Sequence, residues 1–279
     1  MRRMLHTLLI CLLAQSTFSQ SFPKKQTLIP LNNISGVPFY KDQELNDIII
    51  NGFEVDAKGN LYFFGGKLPC LAVFNGTKQI YRKTYKELGS GAELHLFKGN
   101  FYNLAFNKKG DQVSIRINMA DGAISITNSP FVSKHFAAYT IIDSCILLKI
   151  PTKSMDDFDF EKYDLSGKFL GKVTNEFGIP IYIFPDKKKS SDWDLLGMWN
   201  GNYIFWSINF PSKYEKLCMV NNDGEILATK LLPVNFSGNG YAENPSEDRK
   251  VRNGSLFVLG RKGNYALLTE VPLQTLFYK

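Results

Sequence analysis

NGFEVDAKGNLYFFGGKLPCLAVFNGTKQIYRKTY, residues Asn51 to Tyr85, holds the form that returns with variations through the rest of the chain. Phe53 and Val55 alternate with polar neighbours, Ala57-Lys58-Gly59-Asn60 reads as a tight turn, and Leu61 to Phe64 is aromatic and apolar. After Gly65-Gly66 comes a second apolar run, Leu71 to Phe74, and Asn75-Gly76 turns the chain into Gln79 to Tyr85. Period-two patterning bounded by Gly and Asn marks antiparallel strands, and an Asn-Gly loop offers the positive φ angles of a type I′ hairpin. The unit reads as a four-stranded meander.

Four further units follow. Lys98-Gly99-Asn100 in the second repeats Lys58-Gly59-Asn60, and Asp121-Gly122 takes the place of Asn75-Gly76. The third turns at Ser166-Gly167 and the fourth at Asp223-Gly224, so the hairpin glycines are spaced 46, 45 and 57 residues apart. An insertion between Thr174 and Ser191 accounts for the longer interval. The fifth unit turns at Arg252-Asn253-Gly254-Ser255, continues through LFVLG and YALLTEV, and has QTLFYK to finish it. A period near 45 residues is that of a propeller blade, a sheet that buries its faces only against its neighbours. The second strands LYFF, FYNLAF, CILLKI, YIFWSI and LFVL are apolar on both sides, as blades packed on two faces require, whereas sandwich strands alternate more cleanly. The expectation is an all-β fold, a β-propeller of four-stranded antiparallel blades with five visible. NDIII, Asn46 to Ile50, begins the first repeat, and residues 20–50 joined to the C-terminal strands are available for a sixth blade.

Met-Arg-Arg, the seven apolar residues Leu8 to Ala14 and the small residues before position 20 describe a secretory signal peptide over 1–19, too short to span a bilayer. Residues 20–279 then form a single domain, secreted or periplasmic, with association at the cell surface left open. Loss of Arg2 and Arg3 lowers the formal charge from +7 to +5. That balance is diffuse, Lys187-Lys188-Lys189 is a short loop run without aromatic neighbours, and nucleic acid is not an expected partner. Cys70, Cys145 and Cys218 are too far apart for a zinc knuckle or redox pair and read as protected thiols, with a Cys145–Cys218 bridge as the alternative.

Asp56-Ala57-Lys58-Gly59-Asn60-Leu61-Tyr62-Phe63 resembles repeats of secreted propellers of the NHL and SMP-30-like type, with echoes at 97–102 and 221–227. That resemblance implies a propeller. It does not select among the binding scaffolds, lyases and metal-dependent lactonases built on such folds.

No nucleophile elbow, P-loop, H-E-x-x-H or full sialidase Asp-box occurs. The histidines left after residue 19, His95 and His135, are too few for a three-histidine zinc site, so neither metal nor cofactor is expected. The favoured reading is a non-enzymatic propeller binding a glycan or an extracellular protein, with Trp193, Trp199, His95 and His135 as ligand-binding candidates; enzymatic activity is left undecided. The alternative is a carbohydrate-active hydrolase or lyase. Its carboxylates would be drawn from Asp47, Glu54, Glu93 and Asp194, each near the start of a unit, and each also suited to a solvent-facing slot. Asn33, Asn75, Asn235 and Asn253 fit the glycosylation pattern.

Overall fold

A computed structural model of the chain describes residues 24–30, 39–41, 48–50, 53–65, 70–85, 95–97, 99–106, 111–131, 136, 138–142, 145–152, 158–187, 192–208, 214–233, 249–262 and 265–278. It is a five-bladed β-propeller, and every blade is a four-stranded antiparallel sheet. Blade 1 is β4 (Phe53–Val55), β5 (Leu61–Gly65), β6 (Cys70–Asn75) and β7 (Lys78–Thr84); blade 2 is β8 (His95–Phe97), β9 (Asn100–Phe106), β10 (Gln112–Asn118) and β11 (Ile124–Asn128). Blade 3 is β12 (Ala138–Ile142), β13 (Cys145–Pro151), β14 (Phe158–Asp164) and β15 (Phe169–Val173). Blade 4 is β16 (Asp194–Trp199), β17 (Asn202–Ile208), β18 (Tyr214–Val220) and β19 (Ile226–Pro233).

Blade 5 takes β20 (Arg249–Arg252), β21 (Ser255–Lys262) and β22 (Tyr265–Pro272) from the end of the chain and its outer strand, β1 (Lys25–Pro30), from the beginning. β1 pairs with β22 from Lys25↔Glu270 to Pro30↔Tyr265. Lys25–Pro30 thus supply the closing strand of the fifth blade, and the described residues build no sixth. QTLFYK does not extend the sheet either: Leu273–Tyr278 is a short helix, α1, that buries Leu273 and Leu276. NDIII does not open the first blade, because among the described residues β3 (Ile48–Ile50) pairs with β2 (Phe39–Lys41) alone, in a two-stranded sheet of their own.

The core lies between blades. Ile29 of β1 packs with Phe53, Val55 and Phe63 of blade 1 and with Phe257 and Leu259 of blade 5, so the closing strand also glues two blades together. Alternation on β10 sends Val113, Ile115 and Ile117 to Tyr62, Leu71 and Val73 of blade 1. Outer strands are mostly exposed, as on β7 and β11, while β4 is buried along its length.

The turns explain the Gly-rich rhythm. Asp56, Asp164, Asn175 and Asn221 each stand three residues before a glycine whose N–H donates to the Asx carbonyl. Each Asx side chain in turn accepts from the N–H two residues on. Asx-turn chemistry and a glycine at positive φ thus recur as one local unit. The expected type I′ turn at Asn75-Gly76 is replaced by a Gly76-Thr77 loop closed by the Asn75↔Lys78 pair, with positive φ at Gly76 alone, the pattern of a type II′ turn. Type I′ geometry occurs instead at Asn200-Gly201 and Asn253-Gly254, where both residues have positive φ. Gly201 therefore does not have the negative φ that a type I turn would give it.

Candidate functional site at one mouth of the axial channel

Because each blade repeats one strand order, the inner strands β4, β8, β12, β16 and β20 all run the same way along the axis and begin at the same mouth. At or next to their first residues stand Glu54, His95, Tyr139, Asp194, Arg249 and Lys250. Each inner strand thus carries a polar or ionisable residue at or next to its start.

Glu54 is 3% exposed, not in the solvent-facing slot that alternation allowed. Its oxygens accept from Arg252 Nε at 3.0 Å and Nη2 at 2.9 Å, and Lys250 Nζ lies 3.6 Å away. Burial alone would raise this carboxyl, but the charges of Lys250 and Arg252, with the guanidinium hydrogen bonds, hold it below the ordinary range. It is a fixed anion. His95, half-buried on the next blade, is pushed down to about 4 by burial and by the Lys250 and Arg252 charges, against the pull of Glu54, and is a neutral imidazole at pH 7. Its ring meets Tyr139 of blade 3 edge-on at 5.5 Å, and the Tyr139 hydroxyl accepts from the Leu104 N–H at 2.9 Å.

The other side of β20 faces blade 4. Arg249 Nη2 donates to Glu215 at 2.9 Å, both side chains are buried, and the guanidinium lies 4.6 Å from the centre of the Trp206 ring. Burial pushes Glu215 up to about 7 despite Arg249. Asp194 is also raised, by burial and then by the charge of Glu176, with Arg249 opposing. Alternation along Arg249-Lys250-Val251-Arg252 is what divides the charges: Arg249 and Val251 turn to blade 4, Lys250 and Arg252 to blade 1. β16 and β20 come close enough that a Cβ on Gly197 would sit 3.1 Å from the Val251 carbonyl oxygen.

Of the sequence candidates, Glu54 and His95 are close enough for their charges to interact, whereas Asp194, at the start of β16, feels Glu176 and Arg249. Trp193 is 8% exposed in a cluster with Ile183, Phe184, Phe205 and Cys218, so it packs the blade rather than facing a ligand. Trp199 ends β16 at the opposite mouth, stacked on Phe277 of α1 at 6.5 Å. His135, Asp47 and Glu93 lie outside the described residues. Cys145 and Cys218 are free thiols. The sequence reading missed Arg249, Lys250 and Arg252, although three cations alternating about a valine in a strand obliged to bury was a visible signal. Among the described residues no three His, Cys, Asp or Glu side chains gather as a metal site requires.

No family model matches the chain, and no curated protein does. Solved structures similar to it include a glutaminyl cyclase of Myxococcus xanthus, 12% identical over 88% of this chain and 93% of that one, with a TM-score of 0.46. A GH43 endo-arabinanase of Bacillus licheniformis is 11% identical over 79% and 92%, with a TM-score of 0.42. A prolyl endopeptidase is 14% identical over 64% of this chain, with a TM-score of 0.35, and the chain spans 25% of its length. At these identities the likeness concerns fold alone.

Proposed function

We propose that the chain is an exported, non-enzymatic propeller that binds a glycan at the axial mouth formed by Glu54, His95, Tyr139 and Asp194. The observation behind it is that the inner strands of four blades carry Glu54, His95, Tyr139 and Asp194 at or next to their first residues, with Glu54 held as an anion and His95 neutral. Hydroxylated ligands are recognised by such mixtures of donors and acceptors held rigidly beside aromatic rings. Export rests on the residue 1–19 leader pattern, and no helix among the described residues is long and apolar enough to cross a membrane.

One observation favours the hydrolase alternative: Glu54 is held ionised while the Asp194 carboxyl is raised, and divergent carboxyl environments are what separate a base or nucleophile from an acid. Residues 20–279 applied to an array of neutral and uronic-acid-bearing oligosaccharides distinguish the two. The binding reading expects retention on a subset of glycans, lost in Asp194→Asn and His95→Gln while both variants remain folded by circular dichroism. Release of new reducing ends by the parent and not by Asp194→Asn would establish the hydrolase instead. Retention only on extracellular protein would replace the glycan.

A further inference from the structure

Blades 2 and 3 meet over only part of their facing surfaces. Their shared apolar cluster centres on Phe131, Ile146, Leu148 and Tyr163 and leaves out the face of β10 that points away from blade 1. That face is polar. Cross-strand pairing aligns Tyr102, Arg116 and Ser125 in one row and Leu104, Ser114 and Thr127 in the next. Opposite stand Ile141, Ile146 and Leu165 of blade 3, and between the walls lies a cleft of about 400 Å³. Arg116, Ser125 and Thr127 are exposed and Tyr102 and Ser114 half-buried, so this polar wall is open to solvent and within reach of a ligand.

The arginine is also preset. Arg116 Nε donates to Asn100 Oδ1 at 2.9 Å, and Asn100 is itself buried; the guanidinium lies 5.9 Å from the centre of the Tyr102 ring. Those contacts use one N–H and one face of the fork. The two terminal nitrogens have no protein partner among the described residues, and they belong to a side chain lining the cleft. A planar pair of N–H groups matches a carboxylate in bidentate fashion, and the Ser125 and Ser114 hydroxyls beside it can donate to the same group. The apolar wall across the gap suits a hydrocarbon body.

We infer that the cleft between blades 2 and 3 is a binding site for a small organic carboxylate, its head on Arg116 and its apolar body against Ile141, Ile146 and Leu165. The site does not rest on the glycan reading, although Tyr139, whose hydroxyl accepts from the Leu104 N–H, borders it. Its volume lies within the range of small-molecule pockets, roughly 300–1,000 Å³.

Titration calorimetry of residues 20–279 with 4-phenylbutyrate and with its amide tests it. The carboxylate should bind at least about tenfold more tightly than the amide, the range a charge-assisted bond supplies. Arg116→Gln should weaken the carboxylate to the level of the amide and leave the amide unchanged. Ser125→Trp, a substitution at an exposed edge-strand position that fills the cleft while keeping Arg116, should abolish both, and Asp194→Asn should alter neither. Equal binding of acid and amide, or undiminished binding by Arg116→Gln, overturns the inference. Inorganic sulfate binding as tightly as 4-phenylbutyrate also overturns it, because the apolar wall would then contribute nothing.

Discussion

His95 and Glu215 answer to pH in opposite senses. The folded imidazole titrates near 4 against an ordinary 6.5, so between those values the unfolded chain holds a proton that the folded chain refuses. His95 therefore contributes stability that is complete above about 6.5 and lost as pH falls toward 4. Glu215, raised to about 7 from 4.5, does the reverse: the folded chain keeps a proton that the unfolded chain has released, and this stability is complete below about 4.5 and lost as pH rises through 7. The two slopes oppose one another from about 4.5 to 6.5 and hide each other in the parent. His95→Gln should uncover the Glu215 slope, with stability falling as pH rises relative to the parent. Glu215→Gln should uncover the His95 slope, rising with pH. Urea unfolding at half-unit steps from pH 4.5 to 7.5 measures both. Two variants with the parent's slope would show that neither side chain has the surroundings described.

At the scale of the strand and turn, the outer hairpins are where neighbouring blades touch. A Cβ on Gly122 would lie 1.8 Å from the Tyr81 hydroxyl of blade 1, one on Gly167 2.4 Å from Pro130, and one on Gly224 2.1 Å from the Tyr182 carbonyl oxygen. The Gly122 carbonyl also accepts from Lys83 at 2.8 Å and from Tyr85 at 3.3 Å, so blade 1 grips the β10–β11 turn directly. Gly201 has similar positive φ but open space around it. Gly122→Val should therefore cost about 2–4 kcal/mol through strain plus displacement of Tyr81, and Gly201→Ala only about 1 kcal/mol through strain. Urea midpoints of the two variants read the difference, and equal costs would mean that the inter-blade contact at Gly122 adds nothing. The turns at Gly59, Gly167 and Gly224 were also the legible part of the sequence, because an Asx-x-x-Gly unit satisfies its own hydrogen bonds within five residues and needs no distant partner. Glu54 was readable as a candidate but not as a buried ion, because the cations that hold it, Lys250 and Arg252, enter nearly 200 residues later. For the same reason, QTLFYK looked like a fourth strand: nothing local says that its place is already taken by Lys25–Pro30.

Across the whole molecule, one pairing decides whether the ring is closed. The Gln26 side chain reaches Thr269 across 243 residues of sequence at 3.3 Å, and the strand around it supplies the outer edge of blade 5. Ile29 is fully buried between blades 5 and 1, so closure also completes a core. Without β1, the edge of β22 is unpaired and an apolar seam is open, which favours edge-to-edge association. A chain beginning at residue 20 should be monomeric by light scattering, and one beginning at residue 31 should associate. Ile29→Ala is the finer probe. Removing three buried carbons there should cost about 2–4 kcal/mol. Bringing ends this far apart together demands loop-closure entropy that only nearly complete blades can offset, so the contact belongs late in folding. Most of the loss should then appear as faster unfolding with little change in the refolding rate. Stopped-flow measurement of both limbs tests the order of events: slowed refolding with an unchanged unfolding rate would place closure before the blades, and the ring would then form from its seam outward.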